Sequence, residues 1–194
     1  MVLATQNNDK VRELAALLGD LGITIRTLKE FPDAPEVVED GATCEANAVK
    51  KARAIADYTG LPAVADDTGL MVAALGGRPG VHAARYAGEQ ATYEDNCRKL
   101  LQELNGVPRA KRGARFVTVA AFAVPGREPV EVVEGALEGL IAEAPAGTQG
   151  FGYDPVFFVP ELDRTLAQLT AEEKNRISHR ARAFEKFKEL LKKL

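Results

Sequence analysis

The chain has 194 residues, 46% hydrophobic and 27% charged, the balance of a globular protein rather than of a disordered, collagenous or coiled-coil one. Its 25 basic and 28 acidic side chains leave a net charge of −3, which excludes the strongly basic balance of a general nucleic-acid binder. Two cysteines and two histidines argue against a disulfide framework or a structural zinc site, and no apolar run approaches the roughly 18 residues of a membrane span. This length suits one domain, residues 1–194, able to bury about 70% of its unfolded surface. Met1 to Thr5 places no basic stretch before an apolar one, so no signal peptide is expected and a reducing cytoplasm is the expected setting.

Val2 to Thr5 predicts a first strand. Lys10 to Leu21 carries Val11, Leu14, Leu17, Leu18 and Leu21 at helical spacing, and Gly22 supplies a C-terminal cap. Ile23 to Leu28 alternates like a strand, and Phe31 to Gly41, rich in acids and prolines, reads as a loop. Thr43 is placed to cap a helix running to about Tyr58, broken by Gly60 to Pro62. Pro62 to Ala65 predicts a short buried strand ending in the turn Asp66-Asp67-Thr68-Gly69. Thr92 to Leu104 reads as a helix capped by Thr92. Ala114 to Val124 and Val130 to Leu140 read as a hairpin across Pro125 to Glu128. Val156 to Val159 is strand-like, and Ser178 starts a last helix with Ala181, Phe184, Phe187, Leu190 and Leu191 on one face. Helices alternating with strands, followed by a hairpin, predict an α/β fold with a central mixed sheet flanked by helices. Ligands in such folds gather at strand ends, here Thr5, Ala65 and the loop near Gly150.

Four segments carry candidate chemistry. Thr5 to Lys10 joins a strand to a helix N-terminus, where amides, Thr5, Asn7 and Lys10 suit an anion, although the glycines of a P-loop are missing. Asp66 and Asp67 end an apolar strand, and adjacent strand residues point to opposite faces, so one acid can face a ligand while the other anchors the turn. Carboxylates with waters and substrate phosphates are what Mg²⁺ prefers. Glu39, in the acidic loop, matters only if it folds beside Asp67, where the two could share a metal ion. Gly147 to Pro155 alternates glycines with Phe151 and Tyr153, a loop that can bring amides and a stacking ring to a ligand. Ser178, His179 and Arg180 open the last helix, where cations oppose the helix dipole and point to an anionic or carbonyl partner, and Lys174 lies just upstream.

Taken in order, these blocks resemble the inosine triphosphate pyrophosphatases, also called XTP/dITP diphosphatases. The likeness covers nearly the whole chain. It rests on Ala4-Thr5-x-Asn7-x-x-Lys10, on Glu39 with Gly41-x-Thr43 and Asn47-Ala48, and on Ala65 to Leu70. It continues through Leu75-Gly76-Gly77-x-Pro79-Gly80, Ala84-Arg85-Tyr86, Gly150 to Pro155, Glu173-Lys174 and Ile177 to Arg180. The resemblance implies an elongated α/β domain with a deep nucleotide cleft between two lobes, assembled as a homodimer. It implies Mg²⁺-dependent hydrolysis of dITP, ITP or XTP to the monophosphate and pyrophosphate, which cleanses the nucleotide pool. By the same resemblance Thr5, Asn7 and Lys10 hold phosphates, and Asp67 is general base and metal ligand with Glu39 beside it. Thr68 touches substrate. Phe151, Gly152, Tyr153 and Asp154 line the base pocket, completed by Lys174, His179 and Arg180.

The sequence departs from the family pattern at Cys44, Ala46, His82, Ala83 and Gln149, none of them in the acid pair. Cys44 and Cys97 read as core fillers rather than nucleophiles. Two competing readings are a related pyrophosphatase acting on other modified or ordinary nucleoside triphosphates, and a nucleotide-binding regulator without turnover. The residues alone leave open which of Asp66 and Asp67 is the base.

Overall fold

Val2 and Leu3 form strand β1 and are wholly buried. Strands β2 (Arg26–Thr27) and β3 (Ala63–Val72) both pair with β1 in parallel, with Val2 opposite Arg26 and Ala63. Parallel neighbours need crossovers, and helices α1 (Asn8–Leu18) and α2 (Cys44–Thr59) supply them. The structure, a computed structural model, describes residues 1–193. The remaining elements are β4 (Pro79–Gly80), α3 (Tyr93–Glu103), β5 (Gly113–Ala123), β6 (Glu131–Ile141), β7 (Phe157–Val159), β8 (Arg164–Thr165), α4 (Ala171–Ile177) and α5 (His179–Leu191). The strand order is β2-β1-β3-β5-β6-β7-β8, with β4 antiparallel on β3 and antiparallel pairing from β6 through β8. The expected mixed sheet with flanking helices is therefore the observed fold.

The described chain divides into two compact units. The first comprises Met1–Asp67, Thr118–Gly135 and the chain from Arg180 on; the second comprises Thr68–Val117 and Ala136–His179. Each has its own apolar core. In the first, Leu3, Leu14, Leu18 and Val64 pack with Phe122, Phe184 and Phe187. Phe187 meets Phe122 and Phe184 edge-on at 5.5 and 5.6 Å. The face expected on the last helix is the one that packs here, and burying each such ring contributes about 1.5–3 kcal/mol. In the second, Leu70, Leu100, Leu104 and Phe116 pack with Tyr153, Phe157 and Leu166.

Three differences from the sequence reading have physical causes. The acids at 66 and 67 do not start a turn: β3 runs through them to Val72. Buried cations meet their charge, so the backbone can stay extended. Helix α4 was not expected, because its apolar content is only Ala171 and Ile177; a capping box of Thr170 and Glu173 starts it. Ser178 then stands between α4 and α5 as the C-cap of the former. Gly22 closes the first helical segment in the left-handed region at φ 63°, as expected, but the last turn, Gly19–Leu21, has tightened to a 3₁₀ turn.

Candidate active site

The pleat of β3 sends its two acids to different helices. Asp66 is fully buried and turns to α1 and α5. Arg180 donates to its Oδ2 through Nε and Nη2, both at 3.0 Å, and through Nη1 to Glu13 Oε2 at 2.8 Å. Lys10 Nζ stands 3.3 Å from Asp66 Oδ1 and donates to its backbone carbonyl at 3.2 Å. Burial pushes the Asp66 carboxyl up, but Lys10, Arg180 and Lys51 outweigh it and hold the group well below the usual carboxylate range. Asp66 is a fixed anion.

Asp67 turns to α2. Asn47 Nδ2 donates to its Oδ2 at 3.1 Å, and Lys51 Nζ stands 4.0 Å from its Oδ1. The same ammonium donates to Glu39 Oε1 at 2.8 Å and to the Asp66 carbonyl at 2.9 Å. Burial, reinforced by the charge of Glu39, raises the Asp67 carboxyl above its ordinary value against the pull of Lys51, Lys10 and Asn47. Adjacent acids in one strand thus have opposite electrostatics, and the one with raised basicity is Asp67. Cys44 packs beside it, its thiol pushed up to about 12 by burial and the Asp67 charge, which fits a core filler and not a nucleophile.

At the head of α1, Asn7 acts as the cap: its Oδ1 accepts from the Asp9 and Lys10 amides at 2.9 and 3.2 Å, and Thr5 Oγ1 accepts from the Asn7 amide at 3.2 Å. Two of the amides expected to meet an anion are thus engaged by the cap itself. Lys10 reaches to Asp66, and burial lowers its ammonium below the usual range.

The second unit holds Thr68, Phe151 to Asp154, Lys174 and His179. Asp154 is buried and accepts from the Phe151 amide at 2.8 Å and from Lys174 Nζ. The Lys174 ammonium also lies 4.9 Å from the centroid of the Phe151 ring, a cation–π contact. Gly150, at φ 71°, has no room for a side chain: a Cβ there would collide with the Asp154 carboxylate and come within 3.2 Å of Lys174 Nζ. Tyr153, expected to line the pocket, is buried, and its hydroxyl donates to the Ala83 carbonyl at 2.8 Å. His179 is likewise buried, stacked on Phe116 at 4.4 Å. Gly152 offers its carbonyl to Cys97 Sγ at 3.3 Å. Phe151 is the half-buried ring of the loop, with Tyr93 5.8 Å away.

Residues 1–190 match the Ham1 family. The chain belongs to that family. Its relatives include proteins named dITP/XTP pyrophosphatase from Geobacillus kaustophilus, 55% identical over 97% of this chain and 92% of the relative, and from Geobacter sulfurreducens, 51% identical over 98% and 96%. Among solved structures, a HAM1 protein from Coxiella burnetii matches with a TM-score of 0.90 at 43% identity, covering 100% of this chain and 98% of that one. The Staphylococcus aureus Ham1 protein matches at 0.86 and 40%, covering 98% and 97%. The resemblance read from the ordered sequence blocks is borne out.

In this Ham1 chain three further residues join the surroundings of the acids: Asn47, which the sequence marks only within a family motif, and Lys51 and Glu13, which are not among its candidates. A signal for two of them was present. Asn47 and Lys51 are four residues apart on α2, on the stripe that buries Ala48, Ala52 and Ile55. Polar residues inside an apolar helical stripe need partners there. Arg180 joins the acids of the first unit, whereas Lys174 and His179, its neighbours in the expected set, belong to the second.

Proposed function

We propose that this Ham1 protein hydrolyses dITP, ITP and XTP to the monophosphate and pyrophosphate, with Mg²⁺ as cofactor. The observation that carries the reading is the convergence of Glu39 and Asp67, from a loop and a strand, on the single ammonium of Lys51. The names of the relatives supply the substrate class.

The donor set fits the metal. Among the described residues there is no cluster of three or more His, Cys, Asp or Glu side chains able to hold an ion alone. Two hard carboxylates completed by water and substrate phosphates is the arrangement Mg²⁺ favours, so Glu39 and Asp67 would hold it. When bound, the metal neutralises charge developing on the phosphate oxygens. Asp67, its basicity raised by burial, orients a water and takes its proton as that water attacks and the α–β phosphate link breaks. Lys10 and Lys51 supply positive charge to phosphate oxygens, with Thr5 and Asn7 at the same helix end. Asp66 takes no proton; it holds Lys10 and Arg180 in place. Thr68, next after Asp67 on β3, touches substrate.

In the second unit Phe151 offers a stacking ring, with Gly152, Tyr153 and His179 shaping its surroundings. Lys174, held by Asp154, donates to the 6-oxo group of hypoxanthine or xanthine. Adenine carries an amino donor there, which sets donor against donor and forfeits that hydrogen bond, a loss of roughly 10- to 150-fold for a bond to a charged group. The family resemblance also carries a homodimer and a cytoplasmic setting into this reading, and among the described residues no helix is long and apolar enough to cross a membrane.

The test is a hydrolysis panel of dITP, ITP and XTP against the four ordinary deoxynucleotides, with Mg²⁺ present or chelated. It separates pyrophosphate from orthophosphate. Metal-dependent pyrophosphate release confined to the deaminated purines is expected. Orthophosphate release, or equal rates on ordinary nucleotides, would overturn the reading.

A further inference from the structure

Asn47 is buried on α2, and its side chain is engaged at both ends. Its Oδ1 accepts the Gly41 amide at 2.7 Å, and its Nδ2 donates to Asp67 Oδ2 at 3.1 Å. Gly41 lies two residues beyond Glu39 in the same loop. One side-chain amide therefore links the loop that carries Glu39 to the strand that carries Asp67. Its orientation is not interchangeable: the Gly41 N–H needs an acceptor and the Asp67 carboxylate needs a donor. The seat is also tight. A Cβ on Gly41 would come within 2.6 Å of Asn47 Oδ1 and 2.9 Å of Ala46 Cβ. With Oδ2 of Asp67 held by Asn47, Oδ1 is the oxygen nearest the Lys51 ammonium, which also grips Glu39.

We propose that Asn47 is a positioning residue for the acid pair: its amide fixes the Glu39 loop against Asp67, so that both carboxylates meet one cation. The inference rests on the reading of Glu39 and Asp67 as the metal-holding pair. A merely structural Asn47 would, when removed, lower the melting temperature and leave metal affinity and turnover per folded molecule unchanged. A positioning Asn47 changes both of the latter. Residues that orient metal ligands through hydrogen bonds typically contribute roughly 10- to 100-fold in affinity or activity.

The experiment measures Mn²⁺ binding to the substrate-free protein by electron paramagnetic resonance. It also measures kcat and KM for dITP at saturating Mg²⁺, all well below each variant's melting temperature. Asn47→Ala removes both hydrogen bonds. Gly41→Ala keeps the amide but forces the loop off it; Gly41 does not have a left-handed φ, so the added methyl acts by contact alone. Both variants are expected to weaken Mn²⁺ binding and lower kcat by roughly 10- to 100-fold, with KM for dITP within about threefold of the parent. If Asn47→Ala does not fold, Gly41→Ala is judged by the same standard. Variants that fold with Mn²⁺ affinity and kcat within about twofold of the parent overturn the proposal. Asp67→Asn is the control for the underlying reading. If it alone is impaired, only the role of Asn47 fails; if it too binds Mn²⁺ and turns over normally, the metal-holding pair itself is wrong.

Discussion

Arg180 grips Asp66 with two nitrogens on one oxygen, Nε and Nη2 each 3.0 Å from Oδ2, across 114 residues of sequence. Its third nitrogen takes Glu13, and Lys10 stands by the other oxygen of Asp66. Two cations and two anions thus balance inside the first unit. Removing Arg180 leaves the cluster with one buried negative charge in excess, and breaking a buried pair in this way costs about 3–5 kcal/mol. Arg180→Met is expected to lower the unfolding free energy in urea by about that amount. Arg180→Lys should recover only part of it, since an ammonium cannot reproduce the planar fork. A loss below about 1 kcal/mol, the range of exposed pairs, would show that the cluster does not hold the fold together.

The same cluster sets an acid limit. Burial pushes the Asp66 carboxyl up, but the surrounding cations prevail and depress it in the folded state. A depressed folded value stabilises above the unfolded carboxylate value of about 3.9, and that stabilisation is lost as pH falls below it toward the folded value. Urea midpoints are therefore expected to drop steeply below about pH 4. Asp66→Asn should flatten that limb while lowering stability at neutral pH. An unchanged acid slope in the variant would assign acid sensitivity to other carboxylates.

Asp67 has the opposite sign. Its folded carboxyl is raised, first by burial, so the charged form is less favourable in the fold than in the unfolded chain at every pH above about 4. Asp67→Asn should raise the melting temperature of the metal-free protein at neutral pH. It should also cut turnover by about 10²- to 10⁴-fold, the usual contribution of a general base. Scanning calorimetry beside a dITP assay reads both. A destabilised variant would mean that Lys51 and Asn47 stabilise the charge more than burial opposes it.

The periodic elements were legible because apolar spacing is local: the stripe of α5 and the two runs that became β5 and β6 stand where the pattern puts them. The acid pair was legible as chemistry and not as geometry. A strand can run through Asp66 and Asp67 only because Lys10, Lys51 and Arg180 arrive from three helices, and no local window contains them. Nor could a local window show the opposite electrostatics of the two acids, which follow from neighbours 15 to 114 residues away. Tyr153 shows a related limit of local sequence. A Gly-rich loop brings rings near a ligand or into a core with equal ease, and the carbonyl of Ala83 decides for the core.

The remaining prediction concerns base choice. Lys174 is buried, held by Asp154 and set over the Phe151 ring, and the missing side chain of Gly150 leaves room for the Asp154 carboxylate. If Lys174 donates to a 6-oxo group, then loosening its hold should erode the preference for dITP over dATP and not merely the rate. A hydrogen bond to a charged group is worth about 1.5–3 kcal/mol, or roughly 10- to 150-fold in the ratio of kcat/KM. Lys174→Met should lose about that factor for dITP while dATP, which never had the bond, changes little. Gly150→Ala should move the ratio in the same direction by displacing Asp154. Metal-dependent turnover should survive in both, because Glu39 and Asp67 are untouched. A fall in kcat/KM shared equally by both nucleotides would instead put Lys174 on a part of the substrate that they have in common, such as the phosphates.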